Sequence, residues 1–269
     1  MAELIVSKSN PEIKKIHLLK DKKNRDESGL FYVEGIRPVI EAYSQKAEID
    51  RIVYCPALLR SQVALDLINE IAVCSPDLLL KVDEKVFKHL AQKEGPQGLA
   101  AVVHQKWESL GILDDSTDGI WVGLDSVQDP GNLGTILRTL NSVGGKGIIL
   151  LGEGTDVYHP TAIRASMGAI FALRIIRSGQ REFVDWKRKV DFPCYGAVCE
   201  SAMDYQAIHY PKRITLLMGS EQKGLSPSLA GACDQLIHIP MKGNVDSLNL
   251  SIAASIILYE VYNQIRKRG

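Results

Sequence analysis

Six short apolar runs recur in the second half of the chain, at Ile120–Leu124, Gly147–Leu151, Leu173–Ile176, Tyr195–Val198, Ile214–Met218 and Gln235–Ile239, with helical stretches between them. Strands that lack polar alternation are covered on both faces, so this half predicts a mostly parallel sheet with helices on both faces, built from βα units. Ligands in such sheets bind beyond the carboxyl ends of the strands. The loops that begin at Asp125, Gly219 and Pro240 are therefore where chemistry is expected.

The remaining residues form a separate pattern. Helical spacing at Asn10–Lys20 leads to a charged turn, DKKNRDESG, and a β-like FYVEG. Helices at Ile36–Ser44, Ser61–Ala72 and Glu84–Ala91 then alternate with strands at Arg51–Tyr54, Leu78–Val82 and Leu99–Val103, giving a small α/β layer. The polar, turn-rich stretch at about residues 105–118 is the best break. The expected division is a first domain at 1–106, a linker at 107–117 and a second domain at 118–269. With 269 residues, 45% of them hydrophobic, the chain has material for two cores, and a disordered or collagen-like chain is excluded.

Lys plus Arg equals Asp plus Glu at 32 each, so no global field draws the molecule to a polyanion or an anionic membrane. The charge is biased locally: residues 1–25 carry seven basic and three acidic side chains. Five scattered cysteines without a CxxC pair suggest neither a disulfide framework nor a zinc site, and a reducing cytoplasm is the simplest setting. The six histidines show no ligand spacing, so no metal is expected. The start has no secretory apolar core and Leu248–Val261 is too short and too polar to span a bilayer, so no membrane association is expected.

The first loop, DSVQDPGNLGTILRT from Asp125, turns tightly into a helix, with Asn132 as a good cap and Thr135 and Arg138 one turn apart. Its exposed N–H groups and Arg138 make an anion site, although the spacing also fits an ordinary capped helix with a surface arginine. It is neither a GxGxxG nor a Walker loop. In the second loop, Met218-Gly-Ser-Glu-Gln-Lys-Gly-Leu-Ser226, Gly219 lets a ligand approach the backbone, and Glu221 either holds a hydroxyl, orients the arginine or simply opens the turn. The third loop, IPMKGNVDSLNLS from Ile239, leads to a terminal helix capped by Ser247 or Asp246. One face of that helix carries Leu250, Ala253, Ala254, Ile257, Leu258 and Val261, and a second carries Ile252, Ile256 and Tyr259. A helix apolar on two sides covers the sheet and meets another subunit, or else is buried in a monomer.

Taken in order, DPGNLGTILRT, LLMGSEQKGLS and IPMKGNVDSLNLSIAASIILYE resemble the three motifs of the SpoU (TrmH) family of RNA 2′-O-ribose methyltransferases in the SPOUT superfamily, over about residues 118–264. The segment SNPEIKKIHLLKDKKNRDESGLFYVEGIRPVIEA also resembles the RNA-substrate-binding domain of the ribosomal-RNA members, including the thiostrepton-resistance type, a small α/β domain similar to certain ribosomal proteins. The resemblance implies a carboxy-terminal trefoil knot, which general topology rules treat as essentially absent, and a homodimer through the C-terminal domain. It implies S-adenosylmethionine as methyl donor, lined by Gly219, Ile239 and Leu248, and catalytic positions at Asn132, Arg138, Glu221, Ser247 and Asn249. It further implies that the first domain delivers RNA, with Lys14, Lys15, Lys22, Lys23 and Arg25 on phosphates and Phe31 in the core. The expected reaction is methylation of a ribose 2′-hydroxyl in 23S ribosomal RNA. A transfer-RNA 2′-O-methyltransferase and a non-catalytic RNA-binding factor on the same scaffold are the alternatives.

Overall fold

The computed structural model describes residues 3–113, 118–200 and 203–268; residues 114–117 of the expected linker lie outside them. The chain divides into two compact units, Met1–Gln105 with Tyr158–Phe171, and Lys106–Val157 with Ala172–Gly269.

The first unit contains α1 (Pro11–Leu18), α2 (Lys22–Ser28), β1 (Leu30–Glu34), α3 (Ile36–Ser44), β2 (Ile49–Tyr54), α4 (Gln62–Cys74), β3 (Leu79–Lys81), α5 (Glu84–Leu90) and β4 (Leu99–His104). Its sheet runs β1-β4-β2-β3, with β4 antiparallel to both neighbours and β3 parallel to β2. Asn10 caps α1 by accepting from the Glu12 N–H at 2.9 Å, and Pro11 follows at the first helical position. Ile13, Ile16, Leu19, Tyr32, Val53, Phe87 and Leu90 form its core, each large apolar side chain adding about 1.5–3 kcal/mol over staying exposed.

One expectation fails here. DKKNRDESG is not only a turn, because Lys22–Ser28 is helical. No apolar periodicity marks this helix in the sequence. Lys22 and Lys23 stand 4.0 and 3.8 Å from Asp26 and Glu27 one turn on, and Gly29, at φ 67°, closes the helix in the left-handed region.

The second unit begins with β5 (Gly119–Asp125), α6 (Pro130–Ser142) and β6 (Gly147–Leu151). The chain then supplies Tyr158–Phe171, including α7 (Pro160–Ser166), to the first unit, where Phe31 meets Tyr158 at 4.4 Å and Phe171 at 6.1 Å between ring centroids. The sequence assigned this segment to the second domain; these aromatic contacts place it with the first, and Phe31 is buried as expected. The second unit resumes with β7 (Arg174–Ser178), α8 (Gln180–Lys187), β8 (Cys194–Ala197), β9 (Arg213–Met218), α9 (Pro227–Ala230), β10 (Gln235–Ile237) and α10 (Leu250–Arg266).

All pairings in its six-stranded sheet, β10-β8-β9-β5-β6-β7, are parallel. β5 and β9 are buried along almost their whole length, which is why they read as continuous apolar runs. From β5 the chain order runs outward to β6 and β7 on one side, while β9 and β8 lie on the other. The β5–β9 boundary is thus the topological switch point, where open α/β sheets place their ligands. α10 packs along α6, with the Thr139 and Ser255 hydroxyls 3.0 Å apart. Among the described residues no helix is long and apolar enough to cross a membrane.

Candidate active site

The loops after the adjacent strands β5 and β9 meet the loop that enters α10. The first is shaped by Asp129, whose carboxylate accepts from the Asn132 N–H at 2.7 Å and caps α6, with Pro130 at the first helical position. Asn132, the expected cap, lies inside the helix and its side chain is free for other work. The third loop ends on Asn249, not Ser247 or Asp246: its Oδ1 accepts from the Ser251 N–H at 2.9 Å and the Ile252 N–H at 3.4 Å, starting α10. Both caps sit directly before the first helical residue, and the Asp-Pro pair already carries that signal.

In the second loop the chain folds back at Gly219. A Cβ there would stand 1.9 Å from the Gly224 carbonyl carbon and 2.0 Å from the Leu225 nitrogen, so only glycine fits. Ser220 and Gly224 close the loop as a small ring, the Ser220 N–H donating to Gly224 O at 3.1 Å and the Gly224 N–H to Ser220 O at 2.9 Å.

Three of the five expected catalytic side chains form one directed chain of hydrogen bonds. Asn249 Nδ2 donates to Asn132 Oδ1 at 3.1 Å, and Asn132 Nδ2 donates to Glu221 Oε1 at 3.0 Å. Glu221 also accepts from the backbone N–H groups of Gln128 at 3.2 Å and Asp129 at 3.3 Å, just ahead of α6. The anion site expected at this helix start is therefore filled by a carboxylate of the protein itself, where the helix dipole favours negative charge. Partial burial works to raise the Glu221 carboxyl. The bonds from Asn132, from its own backbone and from Gln128 and Asp129 outweigh that and hold it below the ordinary carboxylate range. A carboxylate held low and filled by donors is a poor base and a good clamp.

Arg138 and Ser247 are exposed and form no hydrogen bond or ion pair among the described residues, so they stand apart from this chain. Gly219 is buried at the end of β9, while Ile239 and Leu248 are half-buried. Lys14, Lys15, Lys22 and Lys23 are exposed. Arg25 is not: it is 1% exposed, and its Nη1 donates to the Leu19 and Lys20 carbonyls at 2.8 Å each. The expectation that Arg25 contacts phosphate is corrected, since its guanidinium closes the end of α1 from inside.

The sequence missed the backbone role of Gln128. It also missed Asp125, which is 3% exposed at the carboxyl end of β5. A lone acid closing an apolar strand was its only signal.

The SpoU rRNA methylase model matches residues 119–259, and a substrate-binding domain model of the MRM3-like type matches residues 10–101. A 23S rRNA (uridine(2479)-2′-O)-methyltransferase of Streptomyces viridochromogenes is 31% identical, with 92% of this chain and 87% of the relative covered. A 23S rRNA (guanosine(2553)-2′-O)-methyltransferase of Bacillus subtilis is 29% identical over 96% of this chain and 98% of its own. The AdoMet-bound rRNA methyltransferase of Sinorhizobium meliloti superposes with a TM-score of 0.89 at 35% identity, covering 98% of both chains. With the family model spanning over half its length and a relative 31% identical along 92% of it, the chain belongs to the SpoU rRNA methylase family.

Proposed function

We propose that the protein transfers a methyl group from S-adenosylmethionine to a ribose 2′-hydroxyl of 23S ribosomal RNA in the cytoplasm. The observation that carries this reading is the Asn249–Asn132–Glu221 chain, which joins all three motif loops at the switch point of the sheet. Ribosomal RNA is favoured over transfer RNA because relatives that align along almost the whole chain, the first unit included, act on 23S RNA.

The residues suit the donor. At Gly219 the backbone is stripped of any side chain at a strand end, and the half-buried Ile239 and Leu248 offer apolar contact for adenine. When bound, S-adenosylmethionine supplies an electrophilic methyl group on a sulfonium, for which the ribose oxygen must be held in line. Arg138 is exposed and unpaired among the described residues, and its guanidinium binds substrate phosphate or the developing oxyanion. Asn132, Glu221 and Asn249 fix the loops around that point, and Ser247 lines the substrate side of the third loop. Lys14, Lys15, Lys22 and Lys23 take RNA phosphates through the first unit.

In the same reading the carboxy-terminal segment is tucked through a loop as a trefoil knot, which brings the second and third loops together. The protein works as a homodimer through α10, whose Ile252 and Tyr259 are 52% and 46% exposed.

Methyl transfer from labelled S-adenosylmethionine to total RNA of a cell lacking the protein, followed by mapping of alkali-resistant ribose-methyl sites, tests the proposal. One new site in 23S RNA is expected; a site in transfer RNA alone overturns the substrate, and donor binding without transfer to any RNA pool favours the binding factor. Arg138→Lys is expected to lower turnover at least tenfold, since a point charge does not replace a bidentate fork. Near-normal turnover by that variant removes Arg138 from the mechanism.

A further inference from the structure

The methyl transfer derived above makes no use of Asp125, yet its carboxylate is almost wholly buried where β5 gives way to the first loop. Its Oδ1 accepts from Ser126 Oγ at 3.1 Å and from Gln180 Nε2 at 2.5 Å, and its Oδ2 accepts from the Ser226 backbone N–H at 2.8 Å. These donors come from the loop after β5, from the first residue of α8 after β7, and from the end of the loop after β9. No cation pairs with it among the described residues, so hydrogen bonds alone keep the charge buried.

Ser226 ends the loop that contains Gly219 and Glu221. Glu221 ties that loop to Gln128, Asp129 and Asn132. Ser226 on Asp125 ties its end. Gly219 packs directly on Gly224 and Leu225, which lie between these two ties.

We propose that Asp125 is a positioning residue for the methyl donor: by holding Ser226 and Gln180 it sets where the Gly219 turn stands. The inference rests on the reading of this site as the S-adenosylmethionine site. Its signature is weaker donor binding with unchanged RNA affinity and little change in kcat at saturating donor. A merely structural role lowers the thermal midpoint and weakens both ligands together.

The test is calorimetric titration of S-adenosylhomocysteine into the full chain, beside RNA binding, the thermal midpoint and the KM and kcat of methyl transfer. D125A removes the acceptor of all three bonds, whereas D125N keeps an oxygen for the Ser226 N–H and an NH2 that Gln180 meets by turning its own amide. D125A is expected to bind about tenfold more weakly, the size of one charge-assisted hydrogen bond, and D125N to stay within about threefold of the unaltered protein. Unchanged donor affinity in D125A, or equal weakness in D125A and D125N, overturns the proposal. So does equal loss of RNA affinity. If D125A fails to fold, Q180M decides, since it removes one bond at a half-buried position: a few-fold weaker titration supports the proposal and an unchanged one overturns it. Failure of the unaltered protein to bind S-adenosylhomocysteine overturns the reading of the site itself.

Discussion

Asn132 places every polar group of its amide: the nitrogen on Glu221, the oxygen under Asn249, and its backbone N–H on Asp129. That crowding makes Glu221 sensitive to both substitution and pH. Glu221→Gln turns an amide nitrogen toward donors, and turnover is expected to fall at least tenfold. Because the carboxyl titrates lower in the folded than in the unfolded chain, its contribution to stability is complete above the ordinary value of 4.5 and is lost as the pH falls through the lower folded value. The difference in thermal midpoint between the protein and E221Q, followed from pH 7 downward, should hold level to about pH 5 and then close. Arg25 is the opposite kind of residue. Arg25→Ala leaves the buried Leu19 carbonyl and the part-buried Lys20 carbonyl without this donor, and urea unfolding should show a loss of about 2–4 kcal/mol. The salt dependence of RNA binding should not move with it, whereas Lys14→Ala should flatten that dependence.

At the scale of elements, one side chain serves both a helix and the site. Asn249 caps α10 with Oδ1 and feeds Asn132 with Nδ2. The two roles are separable. Asn249→Asp keeps the cap but sets a carboxylate oxygen against the Asn132 oxygen, so stability should stay within about 1 kcal/mol while turnover falls. Asn249→Ala should lose turnover and about 1 kcal/mol of cap as well. Denaturant midpoints and initial rates on the same samples distinguish them; loss of both in N249D would dissolve the distinction. The second loop depends in turn on Gly219, because any Cβ there meets the backbone of Gly224 and Leu225.

For the whole molecule, the exposed face of α10 is the expected subunit contact. Ile252 and Tyr259 lie outside the face that buries Ala254, Ile257, Leu258 and Val261 against its own unit. Sedimentation at micromolar concentration should give a dimer for the unaltered protein and a monomer for Ile252→Glu with Tyr259→Glu. A monomer in both cases removes the homodimer from the proposal.

The sequence by itself determined the strands of the parallel sheet to within two residues of their ends, because β5, β6 and β9 are buried on both faces and leave unbroken apolar runs. It also pointed to the three loops that the hydrogen bonds join, since a strand's carboxyl end follows from its direction alone. Residues without a periodic signature escaped it. α2 is charged along its length, and only the burial of Arg25 shows which way it faces. Tyr158–Phe171 lies between two strands of one sheet yet packs in the other unit, where it meets Phe31, more than a hundred residues upstream. The bond from Asn249 to Asn132 spans 117 residues, and those from Ser226 to Asp125 and from Asn132 to Glu221 span 101 and 89. Hydrogen bonds of that separation leave no local pattern, so only the tertiary structure decided that the three loops share one site.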